Sequence, residues 1–462
     1  MEPCGISNIA EATCGKVVGG PLTAVFGGVS TDSRSVSAGD IFFALKGPNF
    51  DGHAFVAAVA SKGASGAVVE KGFASSGLPS GFSVIAVDDT TAALGAFASW
   101  YRGRFTIPVV AISGSAGKTT TKEMAASILS RSRKVLKTEG NRNNLIGLPL
   151  TLLGLDRTHN AAVVELGISE TWEMARLIGI CDPTVALLTN IGRGHLGTLG
   201  NLEGVAIAKG PLFAGLEPGA IRAVNLDDEW VRRLAGSLKD DITYSLEKEA
   251  DVRVVRWSVD GVEGVSATYD VRGADVNVRF SVPGASNVIN GAAAIAAVLS
   301  LGVSFSDIEE GLGAYTPVKG RMSVVRCPPY TVIDDTYNAN PESMASSLAT
   351  LARVTGRRVA ILGEMLELGD GSAEEHLRIG RLAADLGIDI LVAVGRTSKE
   401  IADGALAGGL HSESIFTFAD KKGALLALRD ILREGDSVLV KGSRGVALEE
   451  VVEGIKRLGL GT

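Results

Sequence analysis

The residues best suited to chemistry lie in one stretch, Ile112-SGSAGKTTTKEM, where an apolar run enters a glycine-rich turn and then a helical pattern. In such a turn, with a helix N-terminus behind it, the backbone N–H groups of Gly114, Ser115, Ala116 and Gly117 cradle phosphate oxygens. Lys118 would reach the β- and γ-phosphates, and the Thr119 hydroxyl would join a Mg2+ shell with Thr120 beside it. The spacing is G-x-x-G-K-T from Gly114 to Thr119, because Ile112 stands where the longer form of this loop has its first glycine. A strand before the turn and a helix after it are the context this chemistry needs, so binding of a nucleoside triphosphate is the expectation. A chance Lys-Thr in a surface turn is the plain alternative.

A metal-bound triphosphate also calls for a carboxylate. Glu165 closes the apolar run in Val163-VELG, so its side chain would emerge at the C-terminal end of a parallel strand, where ligands collect in open α/β sheets. The elements that must position these groups follow a strand, loop, helix rhythm. Strands are expected over 108–113, 161–167, 184–191 and 221–225, as in a mostly parallel sheet covered by helices. Residues 251–282 alternate about Asp260-Gly261 in the manner of antiparallel strands, and an alanine-rich helix follows from Asn290 to Leu301. Upstream, short apolar runs (Asp40-IFFAL, Gly66-AVVE, Phe82-SVIAV) precede a helix from Thr91 to Tyr101, and Pro108 marks a boundary. Downstream of Lys319-Gly320, runs at 331–335, 358–362, 389–394 and 436–441 alternate with helical segments. One of them, Ile388-DILVAVG, is almost purely aliphatic, as for a strand buried on both faces. The expected fold class is α/β in three domains. These are a small N-terminal α/β domain over 1–106, a central P-loop parallel-sheet domain with a small antiparallel β part over 107–318, and a C-terminal Rossmann-like domain over 319–462.

Composition narrows the field. A chain of 462 residues with 46% hydrophobic and 21% charged residues is long enough for several packed domains and does not read as disordered. Its 45 basic and 52 acidic side chains leave a net charge of −7, which offers no footprint for nucleic acid. Four scattered cysteines (Cys4, Cys14, Cys181, Cys327) suit neither a disulfide scaffold nor a zinc ribbon. The N-terminus has no basic or apolar leader pattern, and the longest nearly apolar stretch, Gly291 to Val303, is too short to span a membrane. A soluble cytoplasmic protein without membrane insertion is expected.

A G-x-x-G-K-T-T loop one domain into the chain resembles that of the Mur ligases, ATP-dependent enzymes that form amide bonds. Other segments agree with that resemblance in order: Asn141-RNNLIGLPLTLL, Glu165, Asn190-IGRGHLG, Ala206-IAKG, Asn287-VIN, Gly320-Arg321, Asp334-DTYNANP, Leu362-GEMLELG and Val440-KGSRG. The last three are similar to the member of the family that acts on UDP-N-acetylmuramoyl-tripeptide and D-alanyl-D-alanine, and the stretch from Thr31 to Phe55 is similar to the UDP-sugar domain of that member and of the ligase one step earlier. The resemblance implies those two substrates, a cytoplasmic monomer, and a reaction in which ATP phosphorylates the peptide carboxylate before the dipeptide amine attacks. Such chemistry brings anions together, and needs cations and positioning more than a nucleophilic side chain.

Site residues follow from the same resemblance. Glu165 and His195 would hold Mg2+, two ions in all. Lys209 would be carbamylated by CO2, turning a cation into a metal-holding anion. That step needs a neutral amine, scarce at an ordinary lysine pKa of ~10.4. Asn287 would recognise adenine and Asn290 support it, although Asn is also a common helix cap. Arg321 would reach the γ-phosphate and Asp335 the ribose. Ser33, Arg34, Lys46, Asn49 and Asp51 are candidates for the UDP-sugar, while Tyr337, Asn338 and Asn340 would shape the dipeptide pocket. Lys441, Ser443 and Arg444 would serve an anion or a cap. Two positions depart from the family pattern: Ser286 replaces a His before Asn287, and Pro211 replaces a Glu after Gly210. Rival readings are a sibling or folate-polyglutamate ligase, a nucleotide switch without ligase chemistry, and a pseudoenzyme.

Overall fold

The computed structural model describes residues 1–194 and 196–460. Three sheets dominate it. The first has five strands, β1 (Lys16–Gly19), β2 (Gly28–Ser30), β3 (Asp40–Phe43), β4 (Gly66–Glu70) and β5 (Ser83–Val87), in the order β1-β5-β4-β3-β2. Only the β1–β5 pair is antiparallel. Helix α1 (Thr90–Arg102) follows, its first turn capped by the Asp89 carboxylate, which accepts from Thr91 N and Ala92 N. Leu94, Phe97 and Tyr101 of α1 share one core with Val109, Ala111, Leu148 and Leu152, so the helix welds the first unit to the second. Buried Arg102 completes the joint by donating to the carbonyls of Phe105, Ile107, Cys181 and Asp182.

The second sheet has nine strands: β6 (Val109–Ser113), β7 (Val135–Lys137), β8 (Ala161–Glu165), β9 (Val185–Leu188), β10 (Ile221–Asn225), β11 (Ile242–Ser245), β12 (Val252–Val259), β13 (Val265–Val271) and β14 (Ala274–Phe280). Their order is β14-β13-β12-β11-β10-β9-β6-β8-β7. Pairs from β7 to β12 are parallel, and β12–β13 and β13–β14 are antiparallel. The antiparallel part anticipated from the sequence is therefore an extension of the parallel sheet and not a separate layer. Aliphatic β6, β8 and β9 are buried along their whole length, because helices cover both faces. Helices α2 (Lys118–Leu129) and α4 (Ser286–Leu299) lie on one face, and α3 (Leu202–Lys209) belongs to the core on the other.

The third sheet comprises β15 (Ser323–Cys327), β16 (Tyr330–Asp335), β17 (Arg358–Gly363), β18 (Ile390–Val394), β19 (Ile415–Phe418) and β20 (Ser437–Lys441), ordered β15-β16-β20-β17-β18-β19. All its pairs are parallel except β15–β16. Helices α5 (Pro341–Leu351) and α6 (Ser372–Asp385) contribute to the core on one face. The β12–β13 turn reaches this unit, where Val262 packs on its core, Glu263 pairs with Arg326, and Arg353 lies over the Trp257 ring. Among the described residues no helix is long and apolar enough to cross a membrane, and all four cysteines are free.

Candidate active site

The glycine-rich turn sits between β6 and α2, at the C-terminal end of β6, which lies between β9 and β8 in the sheet. Two glycines are required there. Gly114 has φ +141°, and a Cβ would lie 1.9 Å from Thr189 Oγ1. Gly117 caps α2 in the left-handed region, φ +80°, with no side-chain cap, so the first helical N–H groups remain open to an anion. The segment after β9 supports the loop. Thr189 Oγ1 donates to Ala116 O at 2.6 Å, Asn190 Oδ1 accepts from Ala116 N at 2.9 Å, and Gly192 N donates to Ser115 Oγ at 2.8 Å. Lys118 folds over its own turn, with Nζ 2.8 Å from Gly114 O. Burial lowers its pKa, against the opposing pull of the Glu165 carboxylate and with a smaller push from nearby Arg321.

Glu165 ends β8 and is 3% exposed. Its Oε2 accepts from Thr119 Oγ1 at 2.8 Å and its Oε1 from Asn143 Nδ2 at 2.8 Å, while Thr138 Oγ1 accepts its backbone N–H. Asn143, from the asparagine-rich segment, thus fixes the carboxylate. Lys209 is the last residue of α3, before Gly210 and a new turn that starts at Pro211. Pro211 lacks the N–H that would continue α3, so it ends the helix without moving Lys209 out of the core. Lys209 is 1% exposed, and its ammonium has no hydrogen-bond or ion-pair partner among the described residues. Burial, reinforced by Lys118, pushes its pKa down to about 7. A cavity of about 340 Å³ brings Lys118, Glu165, Lys209 and Asn143 together with Arg321, Tyr337, Asn338 and Arg444 of the third unit. Tyr337 is flanked by two guanidiniums, Arg321 at 4.1 Å and Arg444 at 5.2 Å from its ring centre.

A neighbouring cavity of about 240 Å³ is lined by Gly117, Thr120, Asn287, Asn290, Arg321 and Asp335. Asn287 is not a cap: α4 starts at Ser286 after Ala285, and Asn287 Nδ2 donates back to Pro283 O at 2.8 Å. Asp335 ends β16 with both oxygens engaged, Oδ2 by Lys441 Nζ at 2.6 Å and Ser347 Oγ at 2.7 Å, Oδ1 by Met322 N at 3.1 Å. Arg321 Nη2 lies 3.2 Å from Thr119 Oγ1, and its Nε is buried without a partner among the described residues. The third unit therefore completes both cavities.

The N-terminal candidates lie elsewhere, in the loops after β2 and β3. Ser33 O accepts from Lys62 Nζ at 2.7 Å, exposed Arg34 pairs with Asp32, and Lys46 bridges to Asp51 beside exposed Asn49. None of them lines the cavities at the ATP loop. His195 lies outside the described residues. Among those described, no group of three or more His, Cys, Asp and Glu is placed to hold a metal. The available donors are the Thr119 hydroxyl and the Glu165 carboxylate. Oxygen donors of this kind, supplemented by phosphate and water, suit Mg2+. Asn143 and Asn190 hold the site through contacts across the fold that their sequence segments do not reveal, and Lys441, a candidate for an anion or a cap, instead clamps Asp335.

Three family models match the chain: "Mur ligase family, catalytic domain" over 25–102, "Mur ligase middle domain" over 112–298 and "Mur ligase, glutamate ligase domain" over 320–444. The chain is 35% identical to the UDP-N-acetylmuramoyl-tripeptide–D-alanyl-D-alanine ligase of Escherichia coli K12, covering 98% of each sequence. Its fold matches a crystal structure of MurF from Acinetobacter baumannii with TM-score 0.90, at 33% identity and 99% coverage of both chains. It also matches MurF ligase from Thermotoga maritima in complex with ADP, with TM-score 0.82 at 29% identity, covering 93% of this chain and 97% of that one. With matches along its length and a cavity where ATP-loop, carboxylate and lysine meet, the protein belongs to the Mur ligase family.

Proposed function

We propose that this protein joins D-alanyl-D-alanine to UDP-N-acetylmuramoyl-tripeptide with hydrolysis of ATP to ADP and phosphate, a step in making the peptidoglycan precursor. The observation that carries the reading beyond nucleotide binding is the 340 Å³ cavity, where Lys118, Glu165 and Lys209 face Tyr337 and Asn338. A nucleotide switch needs no second cavity beside its phosphate loop. The curated relatives, at 32–37% identity, carry the name of this ligase, which favours it over a sibling ligase.

In the reaction, the tripeptide carboxylate attacks the γ-phosphorus and ADP departs. The dipeptide amine then attacks the acyl carbon, and phosphate leaves with one carboxylate oxygen. The turn from Gly114 to Thr120 holds the phosphates. Lys118 exchanges Gly114 O for the β- and γ-phosphates, and Arg321, with its unpartnered Nε, takes the γ-phosphate from the other side. Asn287 reads adenine, with Asn290 beside it, and Asp335, oriented by Lys441 and Ser347, accepts from the ribose. Thr119, Glu165, His195 and a carbamate on Lys209 hold Mg2+, which when bound offsets the negative charge that gathers between phosphate and carboxylate. The low pKa of Lys209 supports carbamylation, since about half of its amine is neutral near pH 7.

Tyr337 and Asn338, with Asn340 behind them, orient the dipeptide. Ser33, Arg34, Lys46, Asn49 and Asp51 hold the UDP-sugar, Arg34 releasing Asp32 to bind the diphosphate. The residue spans 1–106, 107–318 and 319–462 act as three domains of a cytoplasmic monomer. The test is phosphate release by the purified protein with ATP and Mg2+, each substrate omitted in turn. Release that requires both substrates supports the ligase, and release indifferent to them excludes it.

A further inference from the structure

The residues from Asn190 to Gly194, together with Gly197, are held on two sides. On one side Asn190 and Gly192 bond the ATP loop at Ser115 and Ala116. On the other side the third unit holds it at three points. Glu342, in the first turn of α5, accepts from Arg193 N at 2.9 Å. Glu375, in the first turn of α6, accepts from Arg193 Nη1 at 3.0 Å, and Glu367 O accepts from Gly197 N at 2.9 Å. Asn340 Nδ2 also reaches Ser115 O directly at 3.3 Å. Among the described residues here, Arg193 engages the third unit through both its backbone and its charge.

We propose that Arg193 is a positioning residue, the latch through which seating of the C-terminal unit sets the segment that supports the ATP loop. Its guanidinium docks on Glu375 only when the unit is seated, and its backbone N–H then meets Glu342. The arrangement is a latch and not a lock. Glu342 Oε2 is buried there with no partner among the described residues, a cost that opposes permanent closure. Seating and release can therefore alternate during turnover, as product release requires. The turnover readout below rests on the ligase reading, whereas the compaction readout does not.

The test is a double-mutant cycle with Arg193→Met and Glu375→Gln in the full chain. Glu375 also binds Arg378, and the cycle removes that contribution. Each single variant is expected to lower kcat about tenfold, as for loss of one charged hydrogen bond, with the KM for ATP and the melting temperature near wild type. The double variant is expected to be no slower than the worse single. Small-angle scattering with Mg2+ and a non-hydrolysable ATP analogue should show a larger radius of gyration for all three variants than for wild type. Wild-type turnover in either single variant, additive losses in the double, or wild-type compaction would each overturn the latch. If the protein made no product at all, the scattering cycle would still decide the matter.

Discussion

Replacing Lys209 with methionine should abolish turnover and make the protein more stable. Burial holds the ammonium at a pKa of about 7, against an ordinary value of 10.5. At about 1.4 kcal/mol per pKa unit, keeping that amine inside the fold costs about 5 kcal/mol when it is charged. The unfolded chain binds more protons between pH 7 and 10.5, so wild-type stability rises with pH through that window. A methionine carries no proton and escapes the cost. The variant should gain about 4 kcal/mol at pH 7, level off at slightly more below it, and lose the advantage as the pH approaches 10.5. For a unit of roughly 200 residues that is a rise in Tm of about 10 °C. No hydrogen bond is forfeited, because the ammonium has no partner among the described residues, and the two side chains have similar volumes. Calorimetry in CO2-free, metal-free buffer at pH values from below 7 to near 10.5, with phosphate release measured alongside, checks both halves. A lowered Tm, a gap that does not close at high pH, or retained turnover would refute the reasoning.

Lys118→Ala should lower kcat at least about a hundredfold, as for removal of a preorganised donor, while leaving the melting transition in place, since among the described residues its ammonium bonds its own turn alone. Stopped-flow phosphate release and calorimetry read the two effects. Lys441→Met should destabilise the fold by about 3–5 kcal/mol, because it leaves Asp335 buried without its cation; adding Asp335→Asn should recover part of the loss in urea denaturation. Stripping bicarbonate and CO2 from the buffer should slow the wild-type enzyme, and adding bicarbonate should restore the rate. A rate indifferent to both would remove the carbamate from Lys209.

Local pattern exposed the parts of this site that are local. The turn from Gly114 to Thr119 needs its glycines and its lysine in consecutive positions, and β6 and α2 appear as the sequence predicts. Strands buried on both faces, such as β8 and β18, announce themselves as aliphatic runs. Shorter strands β7, β11, β15 and β19 passed unnoticed, because their burial alternates or their length falls below the periodicity signal. The helix carrying Asn287 starts at Ser286, four residues before the alanine-rich pattern suggests. Nothing in the spacing shows that Lys209 is buried and unpartnered, that Asn143 holds Glu165, or that Lys441 clamps Asp335 across 106 positions. Those contacts join segments far apart in the chain, and only the packed sheets bring them together.

The central claim is that ATP activates the peptide carboxylate in the cavity shared by Lys118, Glu165 and Lys209. The most direct measurement supplies UDP-N-acetylmuramoyl-tripeptide labelled with 18O in its terminal carboxylate, together with ATP, Mg2+ and D-alanyl-D-alanine, and weighs the released phosphate by mass spectrometry. The account predicts one 18O atom in each phosphate, carried over as the amide bond forms. Phosphate free of label, alongside ligated product, would contradict it.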